Sequence, residues 1–156
     1  FKHLEAGWFG DWDTRFEENI HVTLWHADER KEAGIPDGWG MQFSFNRRFN
    51  THWLPFLRVG YGDGGGAPLM RSISAGFSYD RPGDDTVLGL GLNWGRPNGD
   101  LFDTATDDQY TVEAYAWLQL LPRLAITPDI QLIKNPASNP EDDLIWVAGL
   151  RARLSF

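Results

Sequence analysis

Hydrophobic and polar residues alternate along most of this chain. Over residues 144–156 one parity reads Leu144, Trp146, Ala148, Leu150, Ala152, Leu154, Phe156, and the other carries Gly149, Arg151, Arg153 and Ser155. That is a strand with one face suited to hydrocarbon and one to water, and it exceeds an average soluble strand in length. The same period recurs upstream. Leu124, Ile126, Pro128, Ile130 and Leu132 share one parity against Thr127, Asp129 and Gln131; Val112, Ala114, Ala116 and Leu118 oppose Thr111, Glu113, Tyr115, Trp117 and Gln119. Leu88 to Trp94, Ile73 to Tyr79, Leu57 to Tyr61, Trp39 to Phe45 and Ile20 to Leu24 alternate in the same way, and a weaker segment sets Leu4, Ala6 and Trp8 against His3, Glu5 and Gly7. The pattern predicts about nine strands near the ~9 to 11 residues that cross a bilayer at a tilt. No stretch of helical period competes.

The segments between these strands alternate in character. If the last strand runs from the outside to the periplasm, residues 27–38, 62–68, 96–108 and 135–143 form external loops rich in Gly, Pro and Asp. Periplasmic connections are then mostly shorter, as at Leu121-Pro122-Arg123. Trp39, Trp53, Tyr61 and Tyr79 fall near strand ends, where interfacial girdles place aromatics. Pro128 removes a ladder donor and predicts a bulge.

Composition narrows the class. The chain is 42% hydrophobic, with a mean hydropathy of -0.40. It holds no run approaching the ~18 apolar residues of a membrane helix. A barrel needs only alternate apolar residues. There is no cysteine, hence no disulfide frame and no thiolate metal site. A net charge of -8 argues against a nucleic-acid partner. The opening Phe1-Lys2-His3-Leu4 is not a signal peptide, so a mature chain or a piece of one is expected. Alternation leaves open which face points outward, and a soluble lipocalin-like sugar-binding barrel has the same period inverted. The second face, made of Gly, Ser, Asn, Gln, Thr and scattered charges, suits a wet lumen better than a soluble exterior rich in Lys and Glu.

Other chemistry is weakly signalled. His3, His21, His26 and His52 lack metal-ligand spacing. Gly89-Leu90-Gly91 has Trp94 where a third dinucleotide-binding glycine belongs, so these glycines are expected where the wall bends or a loop approaches. Residues 62–66 suit a flexible external loop. Aspartates 107, 108, 142 and 143 read as solvated loop charge. No G-x-S-x-G elbow or similar constellation supports an enzyme, and no cofactor is expected.

Several runs carry a family resemblance: Asp108-Gln109-Tyr110-Thr111-Val112-Glu113-Ala114-Tyr115, then Thr127-Pro128-Asp129-Ile130-Gln131, Lys134-Asn135-Pro136 and Trp146-Val147-Ala148-Gly149-Leu150-Arg151. In order and spacing they resemble the C-terminal part of carbohydrate-selective porins of the OprB family, most strongly over the last fifty or so residues. The resemblance implies an all-β, antiparallel transmembrane β-barrel of the bacterial outer membrane that passes sugars by diffusion. Residues 1–156 are then one barrel segment with no second domain. Porins with an aqueous channel need ~16 to 18 strands, so the remaining strands are expected from the same or another chain. Two alternatives stay open: residues 1–17 are not a strand and the other eight close a small structural or anchoring barrel, or several copies share one wall. Outer-membrane lipid, lipopolysaccharide and further copies of the chain are the other expected partners.

In such a pore Tyr115 and Trp117 would stack on pyranose faces. Glu113, Asp129, Gln131, Arg151 and Arg153 would hydrogen-bond hydroxyls, and Arg58, Arg151 and Arg153 with Glu113 and Asp129 would form a charged constriction. The competing expectation is that these charges only pair across strands to neutralise one another.

Overall fold

The computed structural model describes residues 1–99, 101–102, 107–139 and 141–156. Nine strands follow in chain order: β1 (Lys2–Phe9), β2 (Asn19–Ala27), β3 (Gly38–Asn46), β4 (Trp53–Gly64), β5 (Leu69–Asp80), β6 (Val87–Pro97), β7 (Gln109–Leu121), β8 (Leu124–Lys134) and β9 (Leu144–Leu154). Each pairs antiparallel with the next, giving one nine-stranded meander with β1 and β9 at its edges. Residues 1–17 therefore do supply a strand, and the sheet is open, so the closed eight-stranded alternative is not the one observed. Strands of 8 to 13 residues match a tilted bilayer crossing. No helix among the described residues is long and apolar enough to cross a membrane.

Burial inverts what a water-soluble domain shows. In β2 the apolar Ile20, Val22 and Leu24 are exposed, whereas Asn19, His21, Thr23 and Trp25 on the other face are half-buried. The same apolar face continues through Met41, Leu57, Ile73, Leu92 and Val112 to Leu150, which is 75% exposed. Apart from glycines and prolines, the buried residues among those described are Ala125 and the polar Ser44 and Asn98. A soluble chain of this length would hide far more apolar surface. The arrangement suits an apolar solvent outside and water inside, and it rules against the lipocalin-like alternative, whose apolar face fills the interior.

Period two holds because the register is nearly unbroken. Shifts occur only at Leu69/Arg71 in the β5–β6 pairing and at Gln119/Leu121 in β7–β8. The bulge expected at Pro128 is absent. Pro128 pairs with Leu150 in a continuous β8–β9 register, and toward β7 the pairing resumes from Tyr115↔Asp129 to Leu118↔Ile126 with no shift. A missing N–H removes one rung without requiring an extra residue.

Two connections differ from expectation. Residues 62–68 are partly strand: β4 runs to Gly64, which leaves a four-residue connection over 65–68, and Gly64, Gly65 and Gly66 take φ of 63°, 62° and 71°. Only glycine takes three such values in succession without steric cost, and Gly65 N–H donates to the Asp37 carbonyl at 3.2 Å. At the end expected to be periplasmic, residues 10–18 make a nine-residue connection, longer than 47–52, 81–86 or 122–123 at that end. Of the loops expected over 96–108 and 135–143, residues 100, 103–106 and 140 lie outside the described residues.

Candidate pore wall

The register settles which side chains share a face. Arg58 lies opposite Ser44 and Ser74; Glu113 opposite Gly91 and Gln131; Tyr115 opposite Gly89 and Asp129. Trp117 lies opposite Val87, Arg151 opposite Thr127 and Arg153 opposite Ala125. All eight residues singled out from the sequence thus sit on the polar face.

The structure does not gather all eight together. Arg58, Glu113 and Tyr115 line one cavity of about 300 Å³ with Phe16, Asn46 and Phe56. Residues from β3 through β7 border this one space, so the polar face is concave. Arg58 also borders a second cavity of about 260 Å³ toward the opposite end, with Trp25, Gln42 and Ser72. Trp117, Asp129 and Gln131 lie beside the first group on β7 and β8, and Arg151 and Arg153 are exposed on edge strand β9. Arg58 is therefore five strands from the other two arginines. Among the described residues no ion pair joins Arg58, Arg151 or Arg153 to Glu113 or Asp129. Instead the Arg58 guanidinium lies 5.6 Å from the centre of the Phe56 ring.

Glycine decides how the polar-face rings lie. A Cβ on Gly89 would collide with the Tyr115 ring, one on Gly40 with the Trp25 indole, and one on Gly76 would come within 2.8 Å of Phe56. Each ring covers a glycine of the adjacent strand, lying along the wall rather than standing out from it. Gly89 thus seats a ring of the adjacent strand, a use that the sequence alone did not indicate. Gly149 likewise leaves room for the Asp129 carboxylate. A polar ladder accompanies the rings: Asn93 Nδ2 donates to Ser74 Oγ at 2.8 Å, and Thr23 Oγ1 to Glu5 Oε2 at 2.9 Å.

Sequence reasoning missed Trp25, Phe56, Asn46 and Phe16. Parity with Thr23 and with Arg58 would have placed Trp25 and Phe56 on this face; Phe16 lies outside any strand, and nothing local marks it.

On the apolar face, rings meet rings. Trp53 sits 4.6 Å from Tyr79 and 5.0 Å from Phe77 at one end of the sheet, and Trp39 sits 5.3 Å from Tyr61 at the other. Aromatic pairs at both ends of an apolar band are what two membrane interfaces select.

Comparison with known proteins agrees with this geometry. Residues 20–156 match the family described as carbohydrate-selective porin, OprB family. Porin AaxA of Chlamydia pneumoniae is 30% identical over 127 residues, covering 76% of this chain and 28% of that protein. The chain thus spans under a third of the length of that curated relative. No solved structure matches it. With the match extending over all strands but the first, the chain belongs to the OprB family of carbohydrate-selective porins.

Proposed function

We propose that this chain forms part of the wall of a bacterial outer-membrane channel through which sugars diffuse passively. One observation carries the reading: an apolar face turned outward is backed by a concave polar face on which aromatic rings lie flat over glycines. A ring held flat offers its π-face to the apolar face of a pyranose, and neighbouring amides, carboxylates and guanidinia offer hydrogen bonds to the hydroxyls. Tyr115 and Trp117 are the stacking residues, Glu113, Asp129, Gln131, Arg151 and Arg153 contact hydroxyls, and Arg58 stands where the two cavities meet. Unpaired with one another, these charges remain free to exchange partners with a passing solute. Contacts of this kind must stay weak, since a channel that holds its solute tightly stops conducting.

Nine strands are too few for an aqueous pore, which needs ~16 to 18. The open edges of β1 and β9 would leave backbone donors and acceptors unpaired in lipid. The missing wall is supplied by further strands of the same or another chain. Outer-membrane lipid and lipopolysaccharide contact the apolar face and the loops, and the function is transport, not catalysis.

The full-length protein, reconstituted in liposomes under isotonic sugar, tests this. Swelling faster than protein-free liposomes is the expected result, with Arg151→Ala and Glu113→Ala each altering sugar flux or ion selectivity. Folded protein that swells no faster than the blank overturns the channel; unchanged flux and selectivity in both variants overturn the residue assignments.

A further inference from the structure

We propose that residues 10–18 form a strap folded over the polar face at one mouth of the pore, and that Phe16 on this strap narrows the passage and contacts the permeating solute. The solute contact rests on the sugar-channel reading; the narrowing does not.

The strap is tied down by four hydrogen bonds from three residues: Asn46 and Asn19, on the polar face of β3 and β2, and Arg48, in the connection between β3 and β4. Asn46 Nδ2 donates to the Phe16 carbonyl at 2.9 Å, and Asn19 Nδ2 donates to the Arg15 carbonyl at 2.9 Å. Arg48 grips Glu17 with two parallel bonds, Nε to Oε2 at 2.6 Å and Nη2 to Oε1 at 3.0 Å. Its remaining nitrogen, Nη1, donates to the Thr51 carbonyl at 2.8 Å and to the Asp80 carboxylate. One guanidinium, 21% exposed, thereby joins the β1–β2 connection, the β3–β4 turn and the end of β5. Arginine is suited to this role because its planar fork matches a carboxylate bidentately while a further donor edge stays free. The two acidic partners hold the guanidinium charged, raising its pKa further above an already high ordinary value. Within the strap, the amides of Glu17 and Glu18 both donate to the Thr14 carbonyl at 2.8 Å, closing a tight turn.

This anchoring fixes what Phe16 does. Its carbonyl is bound, and the residue lines the cavity that Arg58, Glu113 and Tyr115 also line. It is nevertheless 76% exposed, so it is not a packing residue. It is also not a lipid contact, since the cavity it lines is on the polar face. The Arg15 guanidinium lies 4.4 Å from the ring centres of both Trp12 and Phe16, so a cation and two aromatic faces form one stack on the strap. A cation over a ring is attracted by its quadrupole, and here it steadies Phe16 while leaving an edge and a face open. An exposed phenylalanine anchored across from Tyr115 has the chemistry of a sugar-ring contact and the position of a constriction.

Single-channel recording of the full-length protein in planar lipid bilayers tests the proposal, with heat-modifiable gel mobility confirming that each variant is folded. Phe16→Ala should raise ion conductance and weaken sugar-dependent current block by about two- to tenfold, the range set by loss of one aromatic contact. Phe16→Trp should lower conductance. Arg48→Ala, which frees the strap without touching Phe16, should reproduce the higher conductance with added current noise. A folded Phe16→Ala that conducts and is blocked like wild type overturns the proposal while leaving a sugar-blocked wild type intact as a sugar channel. A wild type that sugar never blocks, with Phe16→Ala still raising ion conductance, overturns the solute contact and the sugar reading but establishes the constriction.

Discussion

The aromatic residues of the outer face and those of the inner face solve different packing problems. Outside, Trp53, Phe77 and Tyr79 lie against one another across β4 and β5, as do Trp39 and Tyr61 across β3 and β4. Inside, Trp25, Phe56 and Tyr115 cover Gly40, Gly76 and Gly89 instead. Glycine in a strand interior costs about 0.5–1 kcal/mol relative to alanine, so a repeated pairing of ring with glycine calls for a reason. In the proposed channel, lipid would fill any gap beside an outward ring, so side-by-side rings would be tolerated there. A ring standing upright on the inner face would narrow the proposed passage, and an absent Cβ lets it recline.

The sharpest break in this comparison is Gly76→Ala. Its Cβ meets the Leu90 carbonyl of the adjacent strand as well as the Phe56 ring, and the carbonyl cannot swing aside. A loss of about 1–3 kcal/mol is expected from such overpacking, read as a lower urea midpoint in lipid vesicles; an unchanged midpoint would mean that the strands do not approach as described. Of similar size is Trp53→Ala, where two ring contacts at about 0.5–1.5 kcal/mol each are lost. That variant should unfold at lower urea yet conduct as wild type, because the ring faces away from the pore. Gly89→Ala separates the two faces from the other direction. Here the nearest atoms belong to the movable Tyr115 ring, so stability should change by about 1 kcal/mol or less, whereas conductance should fall as the ring is displaced inward. Adding Tyr115→Ala should restore it.

The smallest effect should come from a residue on neither face. Asp84, in the turn between β5 and β6, is held below its ordinary pKa of 3.8 chiefly by the hydroxyl and amide of Thr86, with a contribution from the charge of Arg81. A carboxyl with a depressed folded-state pKa stabilises above its unfolded value and loses that contribution as pH falls through the folded one. The gap in unfolding midpoint between wild type and Asp84→Ala should therefore be present at neutral pH and close in the acid range below 3.8. A gap independent of pH would mean that the carboxylate charge plays no part in the turn.

Much of this architecture could be read from the sequence, since strand position and facing both follow from period two. Even the weak first segment, with Leu4, Ala6 and Trp8 on one parity, is β1, paired residue by residue with β2. What stayed hidden depends on neighbours distant in sequence. Gly89 seats Tyr115 only because β6 and β7 pair in one register, and Arg48 finds Glu17 and Asp80 only when two connections and a strand end converge. Pro128 misled for the opposite reason: a local rule about a missing donor was satisfied by one lost rung. The charged groups share the polar face because parity fixes a side, but parity says nothing about how the four strands between Arg58 and Arg151 curve.

The nearly unbroken register bears on how such a gene can change. Removing one codon from the middle of β8 would leave every residue beyond it turned to the wrong side, sending Asp129 or Gln131 toward hydrocarbon and Ile130 toward water. Losing two codons shortens the strand but restores its phase. Length variation among relatives should therefore gather between strands and, within them, come in even steps, so that an alignment of this lineage would carry a parity rule independent of which amino acids it preserves.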